Sequence, residues 1–405
     1  MEGHFYKPNC KCPKDAKKCT CGATWSYIVD IGVDPQTGKR KQQKKGGFKT
    51  KKEADTAAAL LITEISQGTF VQESNITFKD FSEEWMTLYQ GAGRVKISTV
   101  RIRKYEMSKL VPFFSYNEVK DITRKMYQNA LNNLAEQELS YVTLKGIHCT
   151  GKMIFKKAVE LGYIKTDPTQ YAIIPKTQMT VEEIEAETEI PKYLEKEELS
   201  LFLKMARDKG LEMDVVTFIT LAYTGMRAGE LCALKWKDID FVNHTISITK
   251  TYYNPKNNTR KYQLLPPKTK SSRRVIEVDT VVLAELETHR ARQNIVRMEH
   301  RDTYHNKDFI FALTGRNHGY PESLKKIEWR MARILRLAKL NTELTPHSLR
   351  HTHTSLLAEA KVGLEEIMER LGHADDEITR RIYLHVTKAM KKEASQKFSE
   401  LMRTL

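Results

Sequence analysis

No stretch of the chain approaches the roughly 18 consecutive apolar residues that a helix needs to cross a bilayer, which excludes an integral membrane protein. The opening MEGHFYKPNCKC has no apolar core of the kind a secretory signal carries, so a cytosolic location is expected. A Walker-type glycine-rich loop is missing too, and with it any expectation of ATP use. No cluster of carboxylates has the spacing of a two-metal nuclease site. Internal repeats and low-complexity tracts are absent. Acidic residues are the minority charge: 51 Asp and Glu face 67 Lys and Arg, leaving a formal charge of +16. That surplus speaks against a generic metabolic enzyme and for a polyanionic partner, either nucleic acid or an acidic membrane surface.

Cysteine is scarce, six in 405 residues, yet four crowd one short stretch: Cys10, Cys12, Cys19 and Cys21. The spacing C-x-C-x6-C-x-C is unlike a disulfide framework and fits a reducing compartment. Four thiolates this close could hold one tetrahedral zinc in a closed structural site; the alternative is a reduced, flexible basic arm. Cys149 and Cys232 sit in apolar helical contexts and read as small buried residues.

What is present suffices for ordered cores. Forty per cent of the residues are hydrophobic and fall in amphipathic runs, which excludes disorder throughout. At about 150 residues per domain the length suggests roughly three domains. The first 52 residues carry 13 Lys and Arg against Glu2, Asp15, Asp30 and Asp34, a local charge of +9. Within them Trp25 to Val33 alternates like a strand, Asp34-Pro-Gln-Thr-Gly38 supplies a turn, and Lys39 to Gly47 returns as the partner. Thr50-Lys-Lys-Glu53 is a capping box that should start a helix ending near Gln67. The result is a β-hairpin-plus-helix module whose basic face (Lys39, Arg40, Lys41, Lys44, Lys45) suits nucleic acid.

From Ile76 to Tyr171 the pattern is helical. Phe78, Phe81, Trp85 and Leu88 form one core stripe, and Thr166-Asp-Pro168 is expected to close the last helix. Arg101, Arg103 and Lys104 cluster among these helices as further DNA contacts. Residues 176–191, rich in Glu, have no apolar face and read as a linker. Helical periodicity resumes at Leu194–Ala206 and again over 211–223. Thr245–Lys250 and Arg273–Val278 alternate like strands around a polar insertion at Asn254–Lys261, and helices then run to the end.

Four segments carry the chemistry. Thr345-Pro346 starts a helix on which His347, Arg350 and His351 share one face, read as exposed, with Leu349, Leu356 and Ala360 opposite. A guanidinium between two imidazoles suits a phosphate: the Arg donates in a fork and His transfers a proton. Gly225-Met-Arg227 follows a buried apolar helix, where the Arg needs a partner, and Glu230 lies one turn on to orient it. Leu371-Gly-His373 follows a short helix, and Tyr383 comes ten residues later. His353 falls on the apolar side of its helix and reads as a core histidine.

The ordered set Arg227, His347, Arg350, His373 and Tyr383 resembles the tyrosine recombinases of the phage integrase family. The segments that carry the likeness are TGMRAGELCALKW, PKTKSSRRVIEV, TPHSLRHTH and LGHADDEITRRIYLH, over about residues 192–390. The resemblance implies that Tyr383 attacks a scissile DNA phosphate to form a 3′-phosphotyrosyl link and release a 5′-hydroxyl. It further implies that Arg227 and Arg350 hold the non-bridging oxygens, that His347 moves the proton and that His373 bonds the phosphate. A phenol ordinarily titrates near about 10, so cationic neighbours are needed to activate it. The family's hairpin lysine, the general acid, falls on Lys268, with Lys270 the competitor. Glu230 and His351 would be supporting residues.

The expected architecture is therefore multidomain and mainly α with small β-sheets. It comprises an N-terminal β-hairpin and helix arm-binding module (1–70), a helical core-binding domain (75–175), a linker (176–191), an α+β catalytic domain (192–390) and a C-terminal tail (391–405). The expected function is site-specific integration and excision of a mobile element, with double-stranded DNA at core and arm sites as substrate. A homo-oligomer, a tetramer on DNA, and an excision factor are the implied partners. No cofactor is expected for catalysis. Type IB topoisomerase-like relaxation and a non-catalytic DNA-binding regulator are the alternatives.

Overall fold

The computed structural model describes residues 3–8, 10–12, 21–33, 38–67, 75–93, 95–176, 192–267, 271–372 and 377–403, with the backbone alone for 388–398 and 400–401. Of the residues singled out above, Glu2, Asp15, Cys19, the turn residues 34–37, Lys268, Lys270 and His373 lie outside these, as does the linker beyond Lys176. The chain divides into two compact units, Met1–Gln178 and Met179–Leu405.

In the first unit, β1 (His4–Tyr6), β2 (Trp25–Val33) and β3 (Arg40–Phe48) form an antiparallel sheet in that order, with β3 at an edge. Alternation places Tyr27 and Val29 of β2 inward, against Ala58 and Leu61 of helix α1 (Lys51–Ser66). Thr50 caps α1 by accepting from the Glu53 amide, as the capping-box spacing requires. The helices α2 (Phe78–Gly91), α3 (Ile97–Phe114), α4 (Arg124–Glu136) and α5 (Tyr141–Glu160) follow. Thr77, Thr123 and Ser140 cap α2, α4 and α5 in the same way, each cap contributing about 1 kcal/mol. Phe78, Phe81 and Trp85 pack with Leu110, Phe114, Tyr127 and Phe155.

Three expectations for these helices do not hold. Leu88 is 45 % exposed: it stands at the margin of the stripe, and spacing alone does not say where a stripe's buried width ends. Cys149 is exposed on the outer face of α5. α5 ends at Glu160, ahead of Thr166-Asp-Pro168, because Gly162 takes the left-handed conformation (φ +73°) that stops it.

The second unit is built around α7 (Asp214–Thr224), buried nearly all round, against which α6 (Lys196–Lys209), α9 (Thr280–Glu299) and α11 (Pro346–Glu359) pack. Between α7 and α9 come the single turn α8 (Ala228–Leu231) and two small antiparallel sheets. One orders β4 (Ile239–Asp240), β5 (Thr245–Ile248) and β8 (Arg274–Glu277), and the other pairs β6 (Thr251–Tyr253) with β7 (Gln263–Leu265). Register Ile246↔Ile276 points both isoleucines into the core. The remaining helices are α10 (Leu324–Leu337), α12 (Leu364–Leu371) and α13 (Glu377–Arg403). β6 and β7 flank the polar insertion and were not expected; three-residue strands are too short to show a period.

Candidate active site

α11 begins as its sequence dictates, with Thr345 at the cap and Pro346 in the first turn. His347 is exposed and His351 half-buried, their rings 4.8 Å apart and nearly perpendicular. Arg350 departs from the expected exposed face: it is 2 % exposed. Its guanidinium donates to the carbonyls of Gly225 at 2.7 Å and Leu371 at 2.6 Å. Gly225 is the C-cap of α7 and Leu371 the last residue of α12, so both carbonyls belong to helix ends that lack intrahelical donors. The partial negative charge of two helix C-termini is what draws the cation inward. Ala360, expected to anchor α11, is exposed at its C-cap. Gly225 has φ +61°, and a Cβ there would lie 2.6 Å from His353 and 2.8 Å from Leu371, so only glycine fits.

Arg227 follows two residues on, at the cap of α8. Glu230, 3 % exposed, accepts from Arg227 Nη1 at 2.9 Å and from the Arg227 amide at 3.0 Å. The same carboxylate accepts from Arg274 Nη2 at 3.0 Å, and Arg274 Nε donates to the Arg370 carbonyl at 2.7 Å. Burial alone would raise the Glu230 carboxyl, but the Arg274 guanidinium, with Arg227 beside it, holds it below the usual carboxylate range. Arg274 was not foreseen as part of the site. A signal existed: in Arg273-Arg-Val-Ile-Glu-Val278 the period of two puts Arg274 on the same face as the buried Ile276 and Val278.

His353 is buried, its Nδ1 2.9 Å from the Ala222 carbonyl while Arg370 Nε donates to Nε2 at 3.1 Å. This is the core histidine read from the sequence, with an arginine partner that was not. Burial, together with Arg370 and Arg350, pushes its imidazole from the ordinary 6.5 down to about 3. The folded state thus keeps His353 neutral while the unfolded chain takes up a proton. Stability present above about pH 6.5 should fall as pH falls toward 3, by on the order of 1 kcal/mol per unit. Melting at pH 7 and pH 5 measures this, and His353→Gln should flatten the dependence. An unchanged slope in that variant would assign the acid sensitivity to other groups.

Tyr383 lies on α13, partly buried against Ala358, Ile367, Leu371 and Val386. The two stretches that hold Lys268 and His373 have described flanks that meet: Ser272 Oγ donates to the Gly372 carbonyl at 3.4 Å. One network therefore draws together Arg227, Glu230, Arg350, the end of α12 and the helix bearing Tyr383. His385, two residues beyond Tyr383 on the same helix, is exposed.

The residues read as DNA contacts fall into two groups. Lys39, Arg40, Lys44 and Lys45 are exposed on or beside β3, with Lys41 half-buried among them. Arg101 and Lys104 are exposed on α3, but Arg103 turns inward. It pairs with the buried Glu106 at 2.8 Å and donates to Thr150 at 3.0 Å, because a carboxylate in that core requires a counter-ion. Near the sheet, the sulfurs of Cys10, Cys12 and Cys21 lie within 4.8 Å of one another.

Residues 192–390 match the phage integrase family, residues 15–65 an arm DNA-binding domain and residues 77–135 the N-terminal SAM-like domain of phage integrases. The tyrosine recombinase XerC-like protein of Caldanaerobacter subterraneus subsp. tengcongensis is 30 % identical over 395 residues, 93 % of this chain and 96 % of that one. The integrase of Staphylococcus phage L54a is 29 % identical, over 81 % of this chain and 94 % of its own length. The ICEBs1 integrase of Bacillus subtilis is 26 % identical, over 93 % and 97 %. In fold the chain is similar to the Tn1549 transposon integrase in complex with transposon right end DNA: TM-score 0.61, 20 % identity, 79 % of this chain and 100 % of that one. The topoisomerase and regulator alternatives find no support in these likenesses. The chain belongs to the phage integrase family of tyrosine recombinases, site-specific enzymes that cut and rejoin DNA through a tyrosine.

Proposed function

We propose that this recombinase integrates and excises a mobile element, with Tyr383 as its nucleophile. The observation that carries the assignment is the double anchorage of Arg350. It ties the turn ahead of Arg227 to the end of α12, one residue before Gly372, and Tyr383 packs against the apolar cluster to which Leu371 belongs. The Tyr383 oxygen attacks the scissile phosphorus, the bond to the 5′ oxygen breaks, and a 3′-phosphotyrosyl link remains. Arg227 and Arg350 neutralise the charge on the non-bridging oxygens. His347 takes the phenolic proton, His373 bonds the phosphate, and Lys268, with Lys270 as its competitor, protonates the leaving 5′ oxygen. Glu230 and His351 position these groups. The phosphodiester energy is kept in the covalent link, so rejoining requires no cofactor.

Residues 1–70 serve arm-type sites through Lys39, Arg40, Lys41, Lys44 and Lys45. Residues 75–175 hold the core site with Arg101 and Lys104, while 176–191 link to the catalytic domain at 192–390. A cytosolic homotetramer on DNA, joined through the tail at 391–405 and steered by an excision factor, is the working assembly. Incubation with a nicked suicide duplex tests the chemistry. The chain should become covalently attached, and Tyr383→Phe should bind the duplex equally well yet form no adduct. An adduct formed by the Phe variant would remove Tyr383 from its role.

A further inference from the structure

β1 pairs with β2 in the register Tyr6↔Ser26, so the connection between them runs over residues 7–24. Hairpin connections are commonly about 2–5 residues, and a long loop charges closure entropy without adding a core to offset it. The core available here is small: Tyr27, Val29, Ala58 and Leu61 are its buried members. Modules of this size usually need a staple beyond hydrophobic burial.

The loop supplies the material for one. Cys10 and Cys12 stand just after β1 and Cys21 just before β2, at the foot of the connection. Their three sulfurs lie within 4.8 Å of one another, although Cys10 and Cys21 are exposed and gain nothing from burial. The Cys10 and Cys21 sulfurs are 3.6 Å apart. A disulfide would bring them to about 2.05 Å. Tetrahedral thiolates at about 2.3 Å from a zinc ion stand about 3.8 Å from each other, close to the 3.6 Å between Cys10 and Cys21. An all-sulfur donor set selects a soft or borderline ion over magnesium or calcium. The sequence offers a further thiol at Cys19, outside the described residues; the geometry of the other three carries the argument.

We propose that Cys10, Cys12 and Cys21 are ligands of a structural zinc ion that clamps β1 to the sheet of the N-terminal module. The role is architectural: metal binding closes the 7–24 loop and fixes β1, and so stabilises a sheet whose own core is too small to do so. The claim stands apart from the chemistry at Tyr383, because zinc content is read without DNA.

The test uses the full chain, purified with a reductant and without chelator, then dialysed against metal-free buffer. Elemental analysis should find about one zinc per chain. A Cys10→Ser/Cys21→Ser variant should lose at least nine-tenths of it, while Cys149→Ser, exposed elsewhere, should keep it in full. Cobalt substitution should give the intense visible bands of a tetrahedral thiolate site, absent from the double variant. Amide exchange at His4–Tyr6 should speed at least tenfold in the double variant, with α2–α5 unchanged as the control for folding. A zinc-free chain that also fails to take up added zinc would overturn the proposal. So would undiminished zinc in the double variant, or a Cys10–Cys21 disulfide found by mass spectrometry in the native chain.

Discussion

Arg350→Ala is expected to lower covalent trapping on the suicide duplex by about 10²–10³-fold, the scale of losing one donor to a developing oxyanion. It should also weaken the fold, because the carbonyls of Gly225 and Leu371 stay buried when their donor goes. Each orphaned acceptor costs about 1–3 kcal/mol. The two losses are separable. Arg350→Lys keeps a cation but cannot span two carbonyls from one rigid fork, so part of the stability should return while cleavage stays low. Single-turnover trapping well below the melting temperature, beside thermal melting of each variant, reads both. An alanine variant that melts as the parent does and cleaves normally would place Arg350 outside the chemistry and outside the scaffold.

Glu230→Ala should be among the most destabilising changes in the catalytic unit. The carboxylate is 3 % exposed and carries two arginines, one of which, Arg274, has a side chain only 5 % exposed. Removing it strands that guanidinium, and breaking a buried pair from one side costs on the order of 3–5 kcal/mol. In a unit of this size the melting temperature should fall by on the order of 10 °C. Arg227 also loses its orienting partner, so cleavage should drop even at temperatures where the variant is folded. Adding Arg274→Met to Glu230→Ala removes the stranded charge and should recover part of the loss. Strict additivity of the two changes would mean that the pair is not coupled as its geometry indicates.

Much of the scaffold was legible because its signals are local. Thr50 announces a helix start within three residues of the amide it caps, and Trp25 to Val33 shows its period over nine residues. The four segments of the catalytic unit were legible for the same reason, each being short and dense in chemistry. What the sequence hid is non-local. Arg274 reaches the Arg370 carbonyl across 96 residues, and Arg350 reaches Gly225 across 125. Backbone carbonyls are present at every position, so no residue pattern marks which of them an arginine will find. The same blindness turned Arg350 to the surface. Arg103 was left among the DNA contacts for another reason: Glu106 lies only three residues on, but nothing in the local pattern marks that carboxylate as buried and in need of a counter-ion. Leu88, Cys149 and Ala360 were misplaced for a milder reason: periodicity gives the centre of a buried face, not its width.

β3 is hydrogen-bonded by β2 along one side, and its other row of amides and carbonyls stands at the rim of the sheet. Such a rim is a template for a strand of another molecule, and lysine is a common device for discouraging that pairing. Lys44 and Lys45 are exposed on this strand, and Lys41 is half-buried between them and its start. They accordingly guard against self-association, in addition to the DNA contact proposed for them above. Neutralising them would bare the rim, and the resulting aggregates would mimic a defect in DNA contact. Lysine-to-glutamate replacements repel phosphate while leaving the rim charged, and so report on the DNA contact alone.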